Sequence, residues 1–102
     1  MQSAEQLAQI AKVLSVDTRV RILQLLKQRE MCVGALAVRL GVTQGAVSQH
    51  LRILKDAGLV TPDKRGYYVH YRINEEAFAQ CRELLDGLLS TAPSGSEEEK
   101  HV

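Results

Sequence analysis

A chain of 102 residues is enough for one small domain, and a domain of this size leaves apolar surface that a second copy can cover. Apolar residues make up 45% and charged residues 25%, the balance of a globular protein rather than a disordered or membrane-spanning one. The net charge of +1 conceals a segregation: Arg19 to Arg72 carries ten Lys or Arg against Glu30, Asp56 and Asp63, for +7, and the remainder carries −6.

A basic centre between acidic ends points to a polyanionic partner. No charged segment followed by an apolar run opens the sequence as a secretory signal does, so a cytoplasmic protein with no membrane partner is expected. Two cysteines without a C-x-x-C pair suit neither a disulfide framework nor a structural zinc site.

Ser3 is the expected cap of a first helix in which Leu7, Ile10 and Leu14 recur at helical spacing. Asp17 is the expected cap of a second, with Val20, Leu23 and Leu26 inward and its end near Gln28. A third helix fits Val33 to Leu40 and stops at Gly41, the residue best suited to a left-handed turn. Thr43 then caps a fourth, whose Val47, Leu51 and Leu54 face inward while Gln44, Gly45, Ser48, Gln49, Arg52 and Lys55 face out.

After Gly58, two strand-like runs, Leu59 to Asp63 and Tyr67 to Ile73, flank Lys64, Arg65 and Gly66, which reads as a basic hairpin. Asn74 caps a last helix, with Glu75 and Glu76 where the helix dipole favours negative charge and a stripe of Ala77, Phe78, Cys81, Leu84, Leu85 and Leu88. The expected fold is mainly α with a small β-hairpin, in the order ααααββα. Residues 1–90 are expected to form one domain, and 91–102 a flexible acidic tail.

The third and fourth helices, joined by Gly41, Val42 and Thr43, form a helix-turn-helix pattern. Its outward side carries readers and not only charge. Gln and Arg make paired hydrogen bonds to adenine and guanine edges, and Ser and Thr bond to bases or phosphates. The expected contacts with double-stranded DNA are therefore Thr43, Gln44, Gly45, Ser48, Gln49 and Arg52, with Lys64 and Arg65 at the hairpin reaching phosphate or minor groove. His50, at the edge of the core, is expected to be a structural hydrogen-bonding group, and Tyr67, Tyr68 and Tyr71 to pack the hairpin.

The runs DTRVRILQLL, CVGALAVRLGVTQGAVSQHLRILKDAGLV and RGYYVHYRI closely resemble the ArsR family of winged helix-turn-helix repressors over roughly residues 4 to 90. The resemblance implies a homodimer held by the first and last helices, bound to an operator and released by an inducer. The residues support a dimer independently: Leu7, Ile10, Leu14, Phe78, Leu84, Leu85 and Leu88 exceed what a small core can cover. A two-fold pair also sets two recognition helices about 34 Å apart, as successive major grooves require.

Family members that bind arsenic resemble C-V-C-D-L at the third helix, whereas here Cys32, Val33, Gly34, Ala35 and Leu36 stand, with glycine in place of the second thiol. One thiol cannot supply the three or four ligands a soft ion needs. The zinc-type members carry histidine on the last helix, and none lies between Asn74 and Ser90. No cofactor or full metal-ligand set is therefore expected.

The remaining resource is Cys32, at a helix N-terminus with Arg29 nearby, together with Cys81. A thiol in that setting is expected to be open to oxidants and sulfane sulfur, and similar two-thiol family members resemble redox or reactive-sulfur sensors. The alternatives are a soft metal or metalloid gathered across the dimer, and cysteines that only pack as small hydrophobes. An enzyme is not expected, for want of a nucleophile with a base or a phosphate loop. A winged helix used only for protein contacts has little need of the outward Gln, Ser, Gln and Arg.

Overall fold

The computed structural model describes residues 2–90; the segment 91–102, expected to be an acidic tail, lies outside the described residues. The order is α1 (Gln2–Val13), α2 (Asp17–Gln28), β1 (Met31–Cys32), α3 (Val33–Leu40), α4 (Gln44–Asp56), β2 (Val60–Arg65), β3 (Tyr68–Ile73) and α5 (Glu75–Leu89). The mainly α winged helix-turn-helix expectation holds, with one strand more than anticipated. No helix among the described residues is long and apolar enough to cross a membrane.

Ile22 of α2, Leu36 of α3 and Val47, Leu51 and Leu54 of α4 are the most deeply buried large side chains. They lie at helical spacing on three helices, so each helix turns one stripe to a shared centre. Burying such a side chain contributes about 1.5–3 kcal/mol. Met31, Leu59, Val60 and Ile73 close that centre from the sheet side.

Two of the expected caps form. Thr43 Oγ1 accepts from the Ala46 N–H at 3.1 Å, and Asn74 Oδ1 accepts from the Ala77 N–H at 3.2 Å. The Asn74 amide also donates to the Gly58 carbonyl at 2.9 Å, which ties the start of α5 to the turn after α4. Gly41 ends α3 at φ 69°, a left-handed conformation that glycine adopts without steric cost.

Other boundaries differ. Ser3 lies inside α1 rather than capping it. Val16 precedes α2 in an extended conformation, so Asp17 is a first-turn residue, paired with Arg21 one turn on at 3.5 Å. Lys64 and Arg65 belong to β2, and the hairpin turns at Gly66 and Tyr67. Tyr67 is completely exposed and Tyr68 largely so; of the three tyrosines only Tyr71 packs against the core.

The sheet runs β1-β3-β2 and is antiparallel throughout. β1 has two residues, too few to show an alternating pattern, and it exists because β3 offers it a free edge. Directly opposed residues share a face. Met31 and Tyr71 thus lie in a row toward the core that Pro62 continues to the exposed edge, and Cys32, His70 and Asp63 form the neighbouring row on the opposite face.

Leu54 is 0% exposed, so Leu54→Ala is expected to cost about 3 kcal/mol through the cavity it leaves, read as a lower urea midpoint. Val38 on α3 is 82% exposed, and Val38→Ala is expected to shift stability by less than about 0.5 kcal/mol in the same measurement.

Candidate nucleic-acid interface

The turn between α3 and α4 is built by backbone bonds. The Gly41 N–H donates to the Ala37 carbonyl at 2.9 Å, the Val42 N–H to the same carbonyl at 3.2 Å, and Thr43 opens α4. With Val47, Leu51 and Leu54 buried, the rotation of α4 about its axis is set. Gln44, Gly45, Ser48, Gln49, Arg52 and Lys55 are consequently all exposed on the opposite side. The six positions expected to read DNA from the turn and α4, Thr43 through Arg52, lie together on this surface.

The hairpin contributes unequally. Lys64 and Arg65 are both exposed, but Arg65 is engaged by carboxylates. Its Nη2 lies 2.8 Å from Glu30 Oε1 and 3.1 Å from Asp63 Oδ2, and its Nε donates to the same Asp63 oxygen at 3.2 Å. Arg72 approaches Asp63 at 3.8 Å. A phosphate must compete with two carboxylates for Arg65, while Tyr67 at the turn is fully exposed.

Behind α4, Arg19 of α2 donates from Nε to His50 Nδ1 at 3.3 Å and from Nη1 to the Val13 carbonyl at 3.1 Å. His50 is therefore a hydrogen-bonding structural residue. Because Nδ1 accepts, the neutral ring carries its proton on Nε2. This side chain joins the end of α1 and the start of α2 to the middle of α4. Arg19 was not among the sequence candidates, since its partners are six and thirty-one residues away.

The two cysteines occupy different surroundings. Cys32 is half-buried at the N-cap of α3, makes no side-chain cap bond, and opposes His70 across the sheet. His70 Nδ1 is buried and unpartnered. Cys81 packs against the core on α5, and burial pushes its thiol pKa up, against thiolate formation. It lines two grooves beside α5, one of about 670 Å³ against α1 and one of about 500 Å³ against α2, and Cys32 lines neither.

Ile10, Leu14, Phe78 and Leu84 are half-buried along these grooves, Leu7 is half-buried on α1 outside them, and Leu85 and Leu88 are exposed. Leu89 extends the same exposed strip and is an addition to the expected set; its spacing of four from Leu85 is the signal for it. Among the described residues, no group of three or more His, Cys, Asp or Glu is placed to hold a metal ion.

Residues 17–61 match the family described as bacterial regulatory protein, arsR family. The arsenical resistance operon repressor of Escherichia coli K12 is 35% identical over 79 residues, covering 76% of this chain and 68% of that one. The structure of reduced HlyU from Vibrio cholerae is similar at a TM-score of 0.71 with 33% identity, covering 88% of this chain and 95% of that one. The homodimeric winged helix-turn-helix DNA-binding domain of a possible ArsR-family regulator from Mycobacterium bovis is similar at 0.67 with 32% identity, covering 87% and 86%.

Replacing Arg19 by Met removes both of its bonds and leaves His50 without its donor. Arg19→Met is expected to destabilise the protein by about 1–3 kcal/mol, measured as a lower urea midpoint at unchanged slope.

Proposed function

The chain belongs to the arsR family of bacterial regulatory proteins, and from that membership we propose that it represses transcription as a homodimer on a palindromic operator and is released when a thiol-reactive signal modifies Cys32. The observation that carries the DNA reading is the outward side of α4, where Gln44, Ser48, Gln49 and Arg52 stand exposed on a helix whose other side is locked in the core. Gln and Arg at such positions pair with adenine and guanine edges in the major groove, while Lys64 supplies backbone attraction.

The dimer reading rests on the apolar strip of α5. Leu88 is 65% exposed, and with Leu85 and Leu89 it continues the grooves against α1 and α2. A second copy placed on this strip removes it from water and fixes the separation of two α4 helices. The homodimeric state of the Mycobacterium bovis relative supports this arrangement.

For the signal, the reduced form recorded for the Vibrio cholerae relative supports thiol chemistry, and Cys32 is the better placed thiol because burial holds Cys81 away from thiolate. The name of the Escherichia coli relative favours a second reading, arsenite release, with ligands gathered across the dimer. Gly34 weighs against it, since α3 then offers a single thiol.

A gel-shift titration against the region upstream of its own gene tests the repressor reading. Arg52→Ala is expected to weaken binding by about 1–3 kcal/mol, roughly tenfold to a hundredfold, and the affinity to fall steeply with salt. Preference for that duplex no greater than for random DNA overturns it. Cys32→Ser is expected to abolish release by peroxide or polysulfide; full release of that variant by every oxidant defeats the thiol reading, and release of the native protein by arsenite alone selects the second.

A further inference from the structure

Cys32, Asp63 and His70 are too far apart in sequence to read as a motif, yet strand register brings them into one row. His70 stands on the central strand β3, opposed by Cys32 on β1 and by Asp63 on β2. Opposed residues in an antiparallel pair hold their Cβ atoms about 4.5–5.5 Å apart and point to the same face. The register thus makes Cys32 and Asp63 the two cross-strand neighbours of His70.

Two further features make the row chemically directed. His70 Nδ1 is buried and has no hydrogen-bond partner, a state that costs about 1–3 kcal/mol, and Cys32 is the cross-strand neighbour whose thiol can donate to it on a change of rotamer. On the other side of the ring, Asp63 is held by Arg65 at 3.1 Å and Arg72 at 3.8 Å, and Arg65 also reaches Glu30 at 2.8 Å. Glu30 precedes β1 and Asp63 lies on β2, so the Arg65 guanidinium bridges the outer face of the strand that carries His70. A thiol, an imidazole and a carboxylate thus follow one another along the row, with Arg65 and Arg72 on the carboxylate.

Resting on the reading of Cys32 as the sensing thiol, we propose that Cys32 and His70 form a peroxide-reactive pair, with Asp63 a positioning residue for the imidazole. His70 takes the thiol proton. The thiolate attacks the terminal oxygen of hydrogen peroxide or an organic hydroperoxide, and an S–O bond forms as the O–O bond breaks. Sulfur gives up two electrons and becomes the sulfenic acid, and the peroxide is reduced. The leaving oxygen takes the proton back from His70 and departs as water or an alcohol. A small hydroperoxide suits a half-buried thiol beside a charged network, and the guanidinium groups favour the negative charge that develops on the leaving oxygen.

The same place couples to the DNA-reading surface. Cys32 caps α3, the first helix of the helix-turn-helix, while His70 belongs to the hairpin, and β1 joins them through only two residue pairs. An oxygen added to sulfur enters between these two elements and weakens operator binding by changing their relative placement.

The test uses the full chain, reduced and free of DNA, with the Cys32 peptide followed by mass spectrometry and the Cys81 peptide as internal comparison. Hydrogen peroxide needs a proton on its leaving oxygen; iodoacetamide needs none on its leaving iodide. In His70→Gln the peroxide rate at Cys32 is expected to fall about a hundredfold, and the alkylation rate by much less.

Equal falls for the two reagents, or no fall, overturn the proposal, because a packing role affects both alike. Should His70→Gln fail to fold, the native chain decides: Cys32 reacting with peroxide no faster than glutathione overturns the proposal, and a clear excess over glutathione and Cys81 supports it. A gel shift of the reduced native protein separates the two readings. Operator binding with an unreactive Cys32 defeats the peroxide pair alone, whereas absent operator binding defeats the repressor and leaves the thiol chemistry standing.

Discussion

Val47, Leu51 and Leu54 are the anchors on which the remaining geometry depends. With these three side chains removed from water, α4 has no freedom to roll, because any rotation that exposes one of them forfeits about 1.5–3 kcal/mol of burial. The polar positions on its other side inherit that rigidity. Gln44, Ser48, Gln49 and Arg52 need no packing of their own to be presented as a fixed set of donors and acceptors.

What holds α4 relative to the other elements is polar as well as apolar. Arg19 joins the end of α1 to His50, and Asn74 joins the start of α5 to the turn after α4. Both terminal helices are therefore connected to α4 by hydrogen bonds at their roots. A change at the surface of α1 or α5 has a direct route to α4.

The sheet supplies a second route, from the cysteine. Cys32 lies between the core residue Met31 and the first turn of α3, and it is paired in register with the hairpin. Its neighbours along the row are His70 and, beyond it, Asp63, and its position depends on β1. Arg65, whose charge alone suggests a phosphate contact, is instead part of the network that covers this row. Basic residues in one hairpin thus divide: Lys64 faces solvent, and Arg65 organises carboxylates.

The helices, the helix-turn-helix and the outward face of α4 were legible in the sequence because each rests on residues within a few turns of one another. Periodicity of 3.6, caps at Thr43 and Asn74, and the left-handed Gly41 are local signals, and local backbone physics enforces them. The exposed leucines of α5 were legible for the same reason. The strand β1, the Arg19 to His50 bond, the engagement of Arg65 by carboxylates and the row of Cys32, His70 and Asp63 were decided only by the tertiary structure. Each joins residues separated by many positions, through a two-residue pairing or a single side chain, and such contacts leave no period in the chain; they exist only once the packed helices bring their ends within a few ångströms.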